Sequence, residues 1–389
     1  MTETALTQAG PIGVYVHWPY CARICPYCDF NVVRDRAQAE QPLLARAIVA
    51  DLKAQRALTG PRRLASIFLG GGTPSLMDPA WAAQIIEAAK GLWTPEPDLE
   101  ISLEANPTDA ESGRFAAFAQ AGVARLSLGV QALDDASLAF LGRNHDAAAA
   151  RRAAETAAKL FPRLSIDLIY ARPGQSAAAW RAELAQAIAW GAEHISPYQL
   201  TIEAATAFGR AAARGTLIPP GEELASDLFH VTQQGLEAAG FDAYEVSNHA
   251  RGQAARSRHN LVYWRGWDYV GVGPGAHGRL TLNGQRTATT AHSKVADYIR
   301  AVDETGVGFA SETLSPIEAA EERILLGLRI DDGVAFSEIT ALGLSPAHPA
   351  VTQLVDGGYL LDDPARLRAT RAGRLVLDRL TADLILGAA

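Results

Sequence analysis

Cysteine is nearly absent from this chain. Its 389 residues hold three, Cys21, Cys25 and Cys28, all inside the stretch YCARICPYCDF from Tyr20 to Phe30. So few thiols argue against a disulfide framework and for a reducing cytoplasm, where clustered thiols point to metal. Long apolar runs are lacking too; none reaches membrane-spanning length, because charges or glycines interrupt them. The opening MTETALTQAG carries neither a basic region nor an apolar core, so no signal peptide is expected. Basic excess is missing as well: 35 Lys and Arg face 43 Asp and Glu, for a net charge of −8, which speaks against a general nucleic-acid binder. There is no repeat of fixed period and no low-complexity linker, although the tract 147–158 is rich in alanine.

What is present is the composition of an ordinary globular protein, 48% hydrophobic and 20% charged. The length allows one large domain with smaller ones beside it. Seven Trp and 34 Gly imply buried aromatic cores and many tight backbone positions.

Six apolar runs rich in β-branched and aromatic residues read as strands: IGVYVHW (12–18), ASIFLG (65–70), LEISLEAN (99–106), RLSLGVQ (125–131), LSIDLIY (164–170) and HISPYQL (194–200). Segments of helical spacing separate them, such as PLLARAIVADLKAQRAL, AWAAQIIEAAKGLW and AAWRAELAQAIAW. Alternation of this kind predicts βαβ units, a parallel sheet, and an α/β fold. Six units fall short of eight, so a partial (β/α)6 barrel is expected rather than a closed one. Polar residues or glycines gather just after the strands: the cysteines, Gly70 to Thr73, Glu104 and Asn106, Gln131, and Gln199. Ligands bind at the carboxyl ends of strands in such folds. The pattern changes near residue 220, which suggests a tail over 1–11, a barrel over 12–220, an α/β extension over 221–312 and a small helical unit with a β-wing over 313–389.

Thiols spaced C-x3-C-x2-C can turn three sulfurs towards one inorganic centre. Structural zinc takes four ligands and catalytic zinc three plus water, usually from arms far apart in sequence. Iron–sulfur clusters normally take four thiolates, so three would leave one iron for an outside ligand. The spacing favours the cluster, with zinc as the lesser reading. Buried, non-ligating cysteines fit poorly, because Arg23, Pro26 and Asp29 interrupt any core pattern.

With its place after the first strand and Tyr27 following, this motif resembles the radical S-adenosylmethionine (SAM) superfamily. That resemblance implies a 4Fe–4S cluster on the three cysteines, with SAM completing the fourth iron. It also implies a partial barrel of the radical SAM type with a winged-helix-like unit at the end. The loop GGGTP (Gly70 to Pro74) lacks the Lys of a P-loop and the spacing of a dinucleotide fingerprint. Its glycines would let the backbone approach SAM closely. YVHWPYC, FLGGGTPS, ISLEANP, LSLGVQ, LGRNH, IDLIYARPGQ and SPYQLTIE then resemble, in order, the coproporphyrinogen III oxidase-like branch. By that resemblance Tyr15, Gly71, Gly72, Thr73, Glu104, Gln131, Arg143 and Asp167 line the SAM pocket. Glu104 suits ribose hydroxyls and Arg143 suits the SAM carboxylate.

Two departures from the oxidase itself stand out. Phe30 occupies the place of a further cysteine, and the oxidase's longer N-terminal segment has no counterpart; both count against decarboxylase turnover on coproporphyrinogen. Further on, HNLVYW supplies His259, Asn260, Tyr263 and Trp264, and resembles the heme-binding motif of HemW-type heme chaperones. Imidazole is a standard axial ligand to heme iron, and Tyr263 and Trp264 could cover a porphyrin face. A His-Asn turn leading into an aromatic core is the plainer alternative. His17, His249 and His277 are candidate second ligands. The C-terminal unit mixes Asp with Arg and shows no basic recognition helix, so docking of a protein suits it better than DNA.

The resemblance thus implies a heme chaperone holding a 4Fe–4S cluster, SAM and heme, which passes heme to an apo-hemoprotein such as a respiratory-chain component. An oxygen-independent coproporphyrinogen III dehydrogenase and another radical SAM enzyme are the rivals. Homodimer formation and peripheral membrane association stay open at this point.

Overall fold

A computed structural model describes residues 10–36 and 38–388. The tail read over 1–11 therefore lies outside the described residues, apart from Gly10 and Pro11. Strands β1 (Ile12–Trp18), β2 (Arg63–Gly71), β3 (Thr94–Ala105), β4 (Arg125–Gln131), β5 (Arg163–Tyr170) and β6 (His194–Gln199) stand where the β-branched runs placed them. Adjacent strands from β1 to β6 pair in parallel. Helices cover the outer face of these strands, and the other face turns to the barrel interior.

The covering helices include α1 (Gln41–Thr59), α2 (Pro79–Leu92), α3 (Ala147–Leu160), α4 (Ala177–Ala189) and α5 (Glu222–Ala238). Three of them start on a side-chain cap. Asp78 accepts from the Ala80 amide, Asp146 from Ala149 and Ser176 from Ala179, each satisfying a donor that the first turn leaves free. In α3 the alanines Ala150, Ala153, Ala154 and Ala157 form the buried stripe, so the biased tract is a close-packed helix face.

The region after 220 adds a parallel strand that the sequence pattern did not single out. Helix α6 (Arg258–Trp264) leads into β7 (Asp268–Val272), which pairs in parallel with β1, Val14 lying opposite Val270. Antiparallel strands β8 (His277–Leu282), β9 (Gln285–Ala291) and β10 (Phe309–Thr313) extend the sheet, with α7 (Val295–Thr305) between the last two. The order is β10-β9-β8-β7-β1-β2-β3-β4-β5-β6, followed by the two-residue strands His249–Ala250 and Asp242–Ala243. The two ends do not pair, so the barrel stays open.

A separate core closes the chain. Ala320 and Ile324 of α8 (Pro316–Gly327), Val351 of α9 (Pro349–Asp356) and Leu384 of α10 (Leu377–Ala388) pack around Val334 and Leu367. Val334–Ala335 and Arg366–Leu367 form the two-stranded wing. No helix among the described residues is long and apolar enough to cross a membrane.

Candidate functional site

The carboxyl ends of β1 to β6 surround a cavity of about 540 Å³. Its wall includes Cys21, Cys25, Cys28, Gly71, Gly72, Thr73, Glu104, Gln131, Arg143 and Asp167. These side chains come from stations more than a hundred residues apart, and parallel topology brings them to one rim.

All three thiols are free. Cys21 ends a short strand beyond β1, and the Cys28 amide closes a turn on the Cys25 carbonyl at 3.2 Å. Asn31 ties the loop down, its amide donating to the carbonyls of Pro274 and Ser293, each at 2.8 Å. Donors face the sulfurs: the Thr73 hydroxyl lies 3.5 Å from Cys21 Sγ, and Arg143 Nη1 lies 3.3 Å from Cys25 Sγ. Burial raises the Cys21 thiol to about 11, so a thiolate there needs a cation beside it, which iron would supply. Among the described residues no three His, Cys, Asp or Glu side chains converge on a point that a single ion would occupy. The three cysteines line one cavity with donors facing two of their sulfurs, and a cluster in which each thiolate binds its own iron would fit there.

The glycines of GGGTP make the cradle. Gly71 has a φ of +108°, and Gly72 leaves no room for a side chain, because a Cβ would lie 2.7 Å from the Pro19 backbone. The Gly71 amide donates to Glu104 Oε2 at 3.0 Å. Burial, reinforced by the charge of Asp167, raises Glu104 to about 8. Asp167 is itself raised to about 6 by burial, although it accepts from the Ser127 hydroxyl at 2.8 Å. Gln131 sits at a β-bulge of β4 with a φ of +70°, a left-handed conformation that turns its side chain at the strand end. The Arg143 guanidinium also donates to the Gly129 carbonyl at 2.9 Å and to Asn106 Oδ1.

Tyr15 stands behind this wall. Its hydroxyl meets His17 Nδ1 at 2.9 Å, and His17 Nε2 donates to the Asn31 carbonyl at 2.8 Å. With both nitrogens engaged, His17 packs its ring against Gly71. His259 is also away from the cavity surface, at 1% exposure on α6. Its Nδ1 is bonded to the Ser66 hydroxyl at 2.8 Å and its Nε2 to Tyr263 at 2.7 Å, while its ring stacks on Phe68 at 4.8 Å. Burial lowers its basicity to about 3. HNLVYW is therefore a helix, capped by Ser257, rather than a turn before a strand. Asn260 alone of the four motif residues reaches the cavity wall. Trp264 lies under the Arg329 guanidinium, 4.5 Å from its ring centre. Of the remaining histidines, His249 is buried and bonded to Gln233 at 3.3 Å, and His277 is exposed on β8.

Sequence reasoning missed the floor of the cavity. Ser127, Ser165, His194, Ser196 and Asn248 line it below Asp167. For the first four the signal was polar residues at alternate positions of apolar strands, as in RLSLGVQ, LSIDLIY and HISPYQL, which place them on the inner face; Asn248, in the segment before His249–Ala250, carried no such pattern.

Comparison with known proteins gives one picture. Residues 15–185 match the Radical SAM superfamily and residues 314–376 the HemN C-terminal domain. The chain is 39% identical to radical S-adenosyl methionine domain-containing protein 1, mitochondrial, of Mus musculus, over 98% of this chain and 88% of that protein. It is 34% identical to heme chaperone HemW of Escherichia coli, over 96% of this chain and 98% of that one. Among solved structures, coproporphyrinogen III oxidase (HemN) from Escherichia coli superposes with a TM-score of 0.79 at 20% identity, covering 99% of this chain and 93% of the other, a likeness of fold.

Proposed function

The chain belongs to the radical SAM family that contains heme chaperone HemW and radical S-adenosyl methionine domain-containing protein 1, and from that premise we propose that it binds heme and delivers it to apo-hemoproteins. The observation that carries this reading is similarity to curated heme chaperones along nearly the whole of both chains. Membership implies a 4Fe–4S cluster and SAM, which together supply one-electron reductive chemistry when bound. Cys21, Cys25 and Cys28 would hold three irons. Gly71, Gly72 and Thr73 would offer backbone to the methionyl end of SAM, Arg143 would pair with its carboxylate, and Glu104 would accept from its ribose. Gln131 and Asp167 close the wall, and Tyr15 supports it from behind through His17. Three unpaired thiols suit a reducing compartment such as the cytoplasm.

For heme we keep His259, Asn260, Tyr263 and Trp264 as the binding motif, with a condition that the geometry supplies. Iron can reach His259 Nε2 only if the Tyr263 hydroxyl swings off it, so uptake involves a rearrangement of α6. The test is anaerobic titration of hemin into the cluster-loaded protein, followed by mixing with an apo-hemoprotein. A Soret band that passes to the acceptor is expected; no heme uptake overturns the reading. Formation of protoporphyrinogen from coproporphyrinogen with SAM and reductant would establish the dehydrogenase instead.

A further inference from the structure

Asn106 follows β3 and was not assigned a role by the motif reading. Its side chain has only one consistent orientation. Arg143 Nη2 is a donor and nothing else, so the oxygen Oδ1 must face it. The amide nitrogen Nδ2 is then forced towards Thr73 Oγ1, 3.1 Å away, where it donates. The Thr73 oxygen accepts from Asn106, and its single proton is free to point at Cys21 Sγ, 3.5 Å distant. On the other side, the same guanidinium donates from Nη1 to Cys25 Sγ at 3.3 Å. One carboxamide thus bonds to the donors on two of the three sulfurs, sharing Arg143 Nη2 with the Gly129 carbonyl at 2.9 Å. Asn106 is itself anchored from beneath: its backbone amide donates to Glu111 Oε2 at 2.9 Å, and Ser75 and Thr108 hold the same buried carboxylate.

We propose that Asn106 is a positioning residue that sets the reduction potential of the cluster, by directing the Thr73 hydroxyl onto Cys21 and the Arg143 guanidinium onto Cys25. Hydrogen bonds and positive charge at the sulfurs stabilise the more negative, reduced cluster and so raise its potential. The inference rests on the cluster reading above.

Two substitutions at one position separate this role from a structural one. Asn106→Ala removes both orienting bonds. Asn106→Asp keeps an acceptor for Arg143 but turns a second acceptor towards Thr73, which pulls the hydroxyl proton off Cys21; its charge also offsets that of Arg143. Reduced cluster, reconstituted without SAM, is examined by redox titration and electron paramagnetic resonance, with iron content measured on the same samples. The expected result is midpoint potentials falling in the order wild type, Asn106→Ala, Asn106→Asp, with altered g-values at wild-type iron. In a Thr73→Val background the Asn106→Asp shift should shrink, because no hydroxyl remains to turn. Unchanged potential and spectrum in both variants overturn the proposal, as does loss of iron in both with the residual cluster spectrally identical to wild type. Absence of a cluster in the wild-type protein would instead sink the cofactor reading on which the inference rests.

Discussion

Glu104 and His259 show how burial sets a single residue's chemistry here. Glu104 is raised to about 8 in the folded chain, by burial first and the nearby Asp167 carboxylate second, from an ordinary value of 4.5. The folded protein therefore holds a proton that the unfolded chain has released between those two values. Linkage then makes stability greatest below about 4.5 and lost as pH rises through about 8, as far as this residue is concerned. Asp167, raised to about 6, acts in the same sense over a lower window. His249 and His259, lowered to about 4 and about 3, act oppositely, and only below the usual imidazole range. Ligand-free wild type should thus lose thermal stability more steeply than Glu104→Gln between pH 5 and 8. Parallel melting-temperature profiles would contradict the assignment. His259→Ala leaves the Ser66 and Tyr263 hydroxyls unpaired beside a new cavity, and should destabilise the fold by about 2–4 kcal/mol in denaturant titration. Any heme measurement on that variant has to be read against this loss, and Asn260→Ala, at the cavity wall, gives the cleaner comparison.

At the scale of elements, the Gly-rich loop after β2 is the sharpest constraint. Gly72→Ala would press a methyl group into the Pro19 backbone at 2.7 Å, so β1 and β2 would have to separate at their carboxyl ends. It should lower both the melting temperature and SAM affinity by equilibrium dialysis. Gly91→Ala is the counterpart: its Cβ meets nothing within 4 Å near the end of α2, and a gain of about 0.5–1 kcal/mol is expected. The six strands of the barrel were legible because β-branched runs alternate with helical spacing, and Glu104 and Gln131 were legible because they are polar where such strands end; Asp167, inside its strand, was named only through the family resemblance. β7 was not legible, since GWDYVGVG breaks its apolar run with glycines and its place beside β1 depends on a crossover that no local pattern records. The burial of His259 was equally hidden. A residue type suited to iron says nothing of the Ser66 and Phe68 that β2 brings against it.

The whole molecule joins the barrel to its C-terminal unit through α6. Arg323 of α8 donates to the Trp264 carbonyl at 3.1 Å, Arg265 pairs with Asp332 at 2.9 Å, and Arg329 covers the Trp264 ring. Arg329 also donates to Glu245 at 3.0 Å, a carboxylate with 0% exposure. The helix that carries the candidate heme motif is thus held at its C-terminal end by the unit that follows the barrel. Arg329→Ala removes the cover from Trp264 and leaves Glu245 with only its bonds to Ser247 and Asn248. A charge-assisted hydrogen bond of this kind contributes about 1.5–3 kcal/mol, and Arg329 is partly exposed, so the lower part of that range is expected. The loss should be local. Hydrogen exchange should accelerate in residues 258–264 and 316–388 and stay unchanged in β2 to β5, whose hydrogen bonds lie within the sheet. If the rearrangement of α6 limits heme uptake, the same variant should take up hemin faster than wild type at equal iron content. Faster exchange in α6 with an unaltered uptake rate would place the rate-limiting step elsewhere, and would leave Tyr263, not the C-terminal unit, as the group that guards His259.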